Sequence, residues 1–213
     1  NLKIKKFQDF KINPFIKNNS NNNGNIDFDT NFEKISNYKI SKLKKFISNQ
    51  PELFFTDNEN IIFFDGKGSV FKLNHDLKEI WKVNNYNKKE KKLSPILYFA
   101  QFEKSLIIND NISKLYSINL NDGKVIWSKY SSSSFNSNIK IYKDTFLTLD
   151  FDNVIRAISP KDGSELWSFK TDNSFIKSQK KLSIILKDEI VFFINNVGDV
   201  TALNANNGSL VWQ

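Results

Sequence analysis

His75 is the single histidine of this 213-residue chain, and there is no cysteine. Those two counts remove most familiar site chemistry. Without Cys there is no disulfide, thiolate zinc site, cysteine nucleophile or Cys-x-x-Cys-His haem attachment within this stretch. With one imidazole a two-His metal site cannot form, and a Ser-His-Asp triad would have to run through His75. His75 stands in Asn74-His75-Asp76 and reads as an exposed turn residue. The cluster Asp57-Asn58-Glu59-Asn60 with Asp65 offers oxygen ligands of the kind Ca²⁺ takes. It lacks the spacing of a calcium loop and lies across an expected hairpin, so it reads as a solvated turn. Asp150, Asp152 and Asp188 are each conceivable as a base, but no paired acid or cofactor motif accompanies them. No catalytic, cofactor-binding or metal-ligating residue is therefore expected, and no cofactor.

Charge gives a second set of candidates. Thirty-one basic against 23 acidic residues leave a net charge of +8 and a pI near 9.4. The single arginine is Arg156, so the positive charge is almost all lysine, which lacks the planar fork that reads phosphate and guanine bidentately. Sequence-specific nucleic-acid binding is not expected. The runs Lys42-Leu43-Lys44-Lys45 and Lys88-Lys89-Glu90-Lys91-Lys92 could attract anionic head groups or an acidic partner; by default they are solvated surface.

The elements that would position these residues follow from composition and period. With 39% hydrophobic and 14% aromatic residues, 20 of them Phe, the chain can bury a sizeable core. No run of about 18 apolar residues exists to span a bilayer, and the first twenty residues are too polar for the apolar core of a signal peptide. The sequence has no Met and starts at Asn1, from which removal of an N-terminal part is expected.

Trp81, Trp127, Trp167 and Trp212 are separated by 46, 40 and 45 residues, the period of a four-stranded propeller blade. Three of them close one phrase: SINLNDGKVIW (Ser117 to Trp127), AISPKDGSELW (Ala157 to Trp167) and ALNANNGSLVW (Ala202 to Trp212). Each phrase starts with a small residue, Ser117, Ala157 or Ala202, which leaves room for an indole. Each also carries a glycine, Gly123, Gly163 or Gly208, that supplies the positive φ of a hairpin, and places the Trp on the returning strand. The first unit, FKLNHDLKEIW from Phe71 to Trp81, has no glycine at the turn and is one residue shorter. Runs such as Ile61 to Phe64 and Ile190 to Ile194 are apolar throughout, as expected for strands covered on both faces. The reading is an all-β propeller segment of four-stranded antiparallel blades at about 51–86, 93–131, 138–172 and 181–213. Residues 1–50 form a lead-in with an Asn-rich stretch from Asn18 to Asn25.

The phrase Ala-x-x-x-x-x-Gly-x-x-x-Trp resembles the tryptophan-docking motif of the pyrroloquinoline-quinone-like (PQQ-like) propeller repeat family. It is present in full at Ala157, Gly163 and Trp167 and at Ala202, Gly208 and Trp212, with Ser117 for Ala beside Gly123 and Trp127. In that family these residues, and by position Trp81, lock neighbouring blades together. Such propellers have seven or eight blades, so the resemblance implies that the chain is part of a longer one. Two branches of the family compete. Quinoprotein dehydrogenases are periplasmic enzymes that hold the quinone and Ca²⁺ over the channel and use an Asp base. The BamB-like lipoproteins of outer-membrane β-barrel assembly are scaffolds. The missing Cys-Cys pair, the missing haem motif and the short blades favour the second branch. Resemblance to it implies a non-enzymatic role on the periplasmic side of the outer membrane. The partners would be the periplasmic domains of the barrel-inserting protein, and membrane association would come only through a lipid anchor outside this stretch.

Overall fold

The computed structural model describes residues 53–58, 60–172 and 180–213. The expected lead-in over 1–50, with its Asn-rich stretch and the Lys42 to Lys45 run, lies outside the described residues.

Among the described residues, sixteen strands form four antiparallel four-stranded sheets in simple sequential order. The first sheet comprises β1 (Phe54–Phe55), β2 (Ile61–Phe64), β3 (Ser69–Leu73) and β4 (Glu79–Asn84). The second comprises β5 (Leu97–Phe102), β6 (Ser105–Asp110), β7 (Lys114–Asn119) and β8 (Val125–Tyr130). In the third are β9 (Lys140–Tyr142), β10 (Thr145–Leu149), β11 (Val154–Ile158) and β12 (Glu165–Lys170). The fourth has β13 (Ile184–Lys187), β14 (Ile190–Ile194), β15 (Val200–Asn204) and β16 (Leu210–Trp212). The expected all-β blades are thus present, and one 3₁₀ turn at Glu90–Leu93 is the sole helical element among the described residues.

The first strand β9 approaches both β5 and β13, whereas the last strands β8, β12 and β16 are largely exposed. Each blade therefore runs from an inner strand outward, and successive blades stack face to face. Alternation along a strand explains the uninterrupted apolar runs. Leu106 and Ile108 enter the core between the first two blades, with Ile62, Phe64, Val70 and Trp81. Ile107, between them, enters the core shared with the third blade, beside Phe135, Ile139 and Phe146. Leu147, Leu149, Ile155 and Ala157 meet Ile184, Val191, Phe193 and Leu203 between the third and fourth. A strand buried on both faces needs an apolar side chain at every position, which is why the two-residue period is absent there.

The outer hairpin of each blade carries the repeated phrase, and its register shows why the phrase is conserved from blade to blade. Trp127 lies directly across from Ser117, Trp167 from Ala157 and Trp212 from Ala202. A bulge follows that pair in every blade, adding local twist to the outer strand. In the first blade Trp81 pairs with Lys72. Lys72 thus takes the seat of the small residue. Its stem is buried and its ammonium donates to the Leu120 carbonyl at 2.8 Å; burial holds its pKa below the usual lysine value. The shorter turn of this blade puts Leu77 at φ +61° where the other phrases have glycine.

Gly163 and Gly198 separate the two things a glycine does here. A Cβ on Gly163 (φ +69°) would come within 2.7 Å of the Trp127 ring, whereas one on Gly198 (φ +109°) would meet nothing within 4 Å. Gly198→Ala is expected to cost only the positive-φ penalty, about 1–2 kcal/mol. Gly163→Ala should cost about 2–4 kcal/mol because the overpacked indole must also move. Urea denaturation of the two variants checks the order, and equal losses would show that the Trp contact is not what requires Gly163.

Candidate functional site

Two sets of residues recur at the blade period, one at each end of the blades. Because the strands alternate in direction, the β1–β2-type and β3–β4-type turns share one end. The β2–β3-type turns and the connections between blades share the other.

At the first end, a Trp from each blade rests on the glycine of the next. Trp81 lies against Gly123, Trp127 against Gly163 and Trp167 against Gly208, with ring carbons 2.5–3.3 Å from where a Cβ would stand. The absence of that Cβ lets the indole reach the backbone itself. Trp81 Nε1 then donates to the Leu120 carbonyl at 3.0 Å and Trp127 Nε1 to the Pro160 carbonyl at 2.8 Å. The Trp167 indole N–H has no such partner among the described residues. Trp212 is placed differently from the core position the phrase predicts. No described residue stands on its far side, so it is 48% exposed, with Phe192 as its ring neighbour at 6.0 Å. Ile185, Ile194 and Val200 are exposed on the same blade.

At the second end, the last residue of β6 (Asp110) and the residue just after β2, β10 and β14 (Asp65, Asp150 and Asn195) each hold a turn. Asp65 Oδ1 accepts from the amides of Lys67 and Ser69, and Asp110 Oδ1 from those of Ile112 and Lys114. Asp150 Oδ1 accepts from Asp152 and Val154, and Asn195 Oδ1 from Val197, Gly198 and Asp199. An acceptor on the side chain closes the turn as a backbone carbonyl would. Sequence reasoning met Asp65 only as a conceivable cation ligand and Asp150 only as a conceivable base, and missed their shared role as turn anchors. The signal was there: Asp65, Asp110, Asp150 and Asn195 are 45, 40 and 45 residues apart, nearly the spacing of the tryptophans.

The second blade surrounds its anchor most elaborately. Asp110 is fully buried, and its other oxygen accepts from the Tyr86 hydroxyl at 2.5 Å. Burial pushes the Asp110 carboxyl above its ordinary value, although Tyr86, two turn amides and Lys114 pull the other way. Lys114 donates to the Asn85 carbonyl and lies 4.9, 5.8 and 5.6 Å from the ring centres of Tyr86, Tyr116 and Tyr130, an arrangement that stabilises a desolvated ammonium. In the third blade Arg156 bridges Asp150 at 3.1 Å and Glu165 at 2.7 Å. Burial raises the Asp150 carboxyl despite that arginine. Both buried carboxylates are committed to turn amides, and that commitment is structural chemistry.

The remaining sequence candidates are scattered. The His75 side chain is 80% exposed beside Asp76. Asp57 sits in the β1–β2 turn, with Gln101 Nε2 2.7 Å away, and Asp65 at the opposite end of β2; the structure does not bring them together as a cation site. Asp188 is in the exposed β13–β14 turn. No group of three or more His, Cys, Asp or Glu suited to a metal ion occurs among the described residues.

Asn195 already performs the anchoring with an amide, which makes Asp110→Asn informative. Asp110→Leu should cost about 2–5 kcal/mol, since it strands two turn amides and the Tyr86 hydroxyl in the interior. Asp110→Asn should keep the turn. Because the folded Asp110 carboxyl is raised above 3.8, its contribution is fully present below that value and is lost as pH rises through the folded pKa. The melting temperature of Asp110→Asn relative to the parent should therefore rise as pH rises out of the acid range. A pH-independent difference between the two would contradict the direction of the shift.

Comparison with known proteins agrees with this geometry. No curated protein matches the sequence. Among solved structures, BamB from Moraxella catarrhalis superposes with a TM-score of 0.62 at 16% identity, over 76% of this chain and 47% of that one. The computationally designed Ika8 protein gives 0.61 at 13% identity, over 75% and 47%. The quinohemoprotein alcohol dehydrogenase ADHIIG from Pseudomonas putida gives 0.59 at 14% identity, over 75% and 33%. At such identities the likeness concerns the fold, and the chain spans about half the length of the first two. The family model described as outer membrane protein assembly factor BamB matches residues 66–213. That stretch contains all four Trp phrases and well over half of the sequence, so this chain belongs to the BamB family of PQQ-like repeat proteins.

Proposed function

We propose that the chain is the propeller scaffold of a BamB-type component in the assembly and insertion of outer-membrane β-barrel proteins. In this reading it acts on the periplasmic side of the outer membrane. It binds the periplasmic domains of the barrel-inserting protein and catalyses no reaction. The observation that carries the reading is the family match over residues 66–213. What the geometry adds is a rigid frame: stacked blades, closed by Trp–Gly contacts at one end and side-chain-anchored turns at the other. Such a frame holds its connecting loops in fixed relative positions, which is what a docking surface requires.

An enzymatic reading is favoured by one observation, the fold likeness to a quinohemoprotein alcohol dehydrogenase. Against it stands the use made of the buried acids. A catalytic Asp needs a free lone pair aimed at substrate. Asp110 and Asp150 instead direct theirs to turn amides, Tyr86 and Arg156.

Two measurements on the full-length protein separate the readings. Co-purification with the barrel-inserting protein in mild detergent is the expected result for a scaffold; its failure under conditions where the partner is folded removes the proposal. A thermal melt with PQQ and Ca²⁺ should show no shift. Stabilisation by about 2.7 kcal/mol, as for a native-state ligand at 100 times its dissociation constant, would move the protein to the dehydrogenases.

A further inference from the structure

The lysine run between the first two blades is not used by the scaffold reading. Its sequence, Lys88-Lys89-Glu90-Lys91-Lys92-Leu93, sets one acid among four lysines. In the structure Glu90 is turned inward. Its Oε1 accepts from the Tyr130 hydroxyl and its Oε2 from the Asn87 amide at 2.7 Å, and the Lys114 ammonium stands 3.9 Å away. Burial alone would raise the Glu90 carboxyl, but these three partners outweigh it and hold the pKa below the ordinary value. The negative charge is thus firmly ionised and already matched by Lys114. It cannot also neutralise its four lysine neighbours.

What remains outside is one-signed. Lys88, Lys89 and Lys92 are exposed and Lys91 is half-buried. None of the four has an ion-pair partner among the described residues. Lys91 and Lys92 lie in the 3₁₀ turn Glu90–Leu93, Lys89 is its N-cap and Lys88 precedes it, so the four like charges are crowded into one short turn of chain. Beside them project two apolar groups: Leu93 is 61% exposed, and Tyr130, whose hydroxyl pins Glu90, is 64% exposed.

We infer that the Lys88–Leu93 loop is a contact site for an anionic phospholipid surface. Four lysines with an aliphatic and an aromatic residue at their border match the chemistry of a headgroup layer. Flexible point charges meet diffuse phosphates, and the apolar groups enter the acyl boundary. A structured acidic protein partner would be matched better by the planar fork of arginine, and the loop has none. The loop lies at the end of the blades that also carries the anchored turns. It would therefore orient that end toward the membrane, and this contact is additional to any lipid anchor.

The test is vesicle co-sedimentation of the full chain, which is independent of whether the barrel-inserting partner binds. Phosphatidylcholine vesicles are compared with mixed phosphatidylcholine and phosphatidylglycerol vesicles. Binding to the mixed vesicles only is expected. It should collapse when salt is raised from about 0.1 M to about 1 M, as the screening length falls from about 10 Å to about 3 Å. Each lysine near an anionic leaflet strengthens binding by about fivefold, so Lys88→Gln, Lys89→Gln, Lys91→Gln and Lys92→Gln combined should weaken it at least about tenfold. Leu93→Asn should weaken it by a smaller factor. Lys124→Gln with Lys161→Gln, at the opposite end of the blades, should leave it unchanged. Circular dichroism confirms that these surface variants fold. Equal binding by the four-lysine variant overturns the inference. So does binding to poly-glutamate that competes with the vesicles and is tighter than vesicle binding, since the site would then serve an acidic protein.

Discussion

The contact between an indole and a bare backbone is the constraint on which this architecture rests. Each blade is a small sheet with too little core of its own to be stable, and it must bury both faces against neighbours. Face-to-face sheets slide easily unless something fixes their registration. The Trp81–Gly123, Trp127–Gly163 and Trp167–Gly208 contacts fix it at the outer hairpins, where a large flat ring from one blade rests on the backbone of the next. The small residue across from Trp127 and Trp167, the bulge behind each Trp and the positive φ of the receiving glycine serve that one placement.

At the other end of the blades the problem is polar. The turns there carry amides that the strand ladders leave without partners, and an Asp or Asn side chain supplies the acceptor. The choice between them has a consequence. Asn195 anchors its turn without charge, whereas Asp110 and Asp150 bring charges into the interior and need Tyr86 and Lys114, or Arg156, around them. The tyrosine-lined seat of Lys114 is the most developed of these arrangements. Through Glu90 it also sets the conformation of the connection between the first two blades.

This coupling links the interior to the surface. The charge that Glu90 gives to Lys114 and Tyr130 is withdrawn from the lysine run, so an internal need for neutrality leaves a one-signed loop outside. A scaffold works through such loops, and their presentation here depends on hydrogen bonds several residues away from the groups a partner would meet.

The sequence by itself determined the blade count of the described region, the strand order within a blade and the place of each hairpin. These depend on local chemistry repeated at a fixed period: an indole, a glycine, a small residue and strands apolar on both faces. Even Asp65, Asp110, Asp150 and Asn195 were legible by that period, although turn anchors at a strand end look like ordinary polar loop residues until their amides are seen. Only the tertiary structure decided what lies across space from each group. It turned Lys72 inward to a carbonyl of the next blade, left Trp212 half exposed, and took Glu90 out of its basic run. None of these has a local signature. Lys72 and Glu90 are fixed by neighbours about 25 to 50 residues away in the chain, and the exposure of Trp212 by the want of a described neighbour on its outer face.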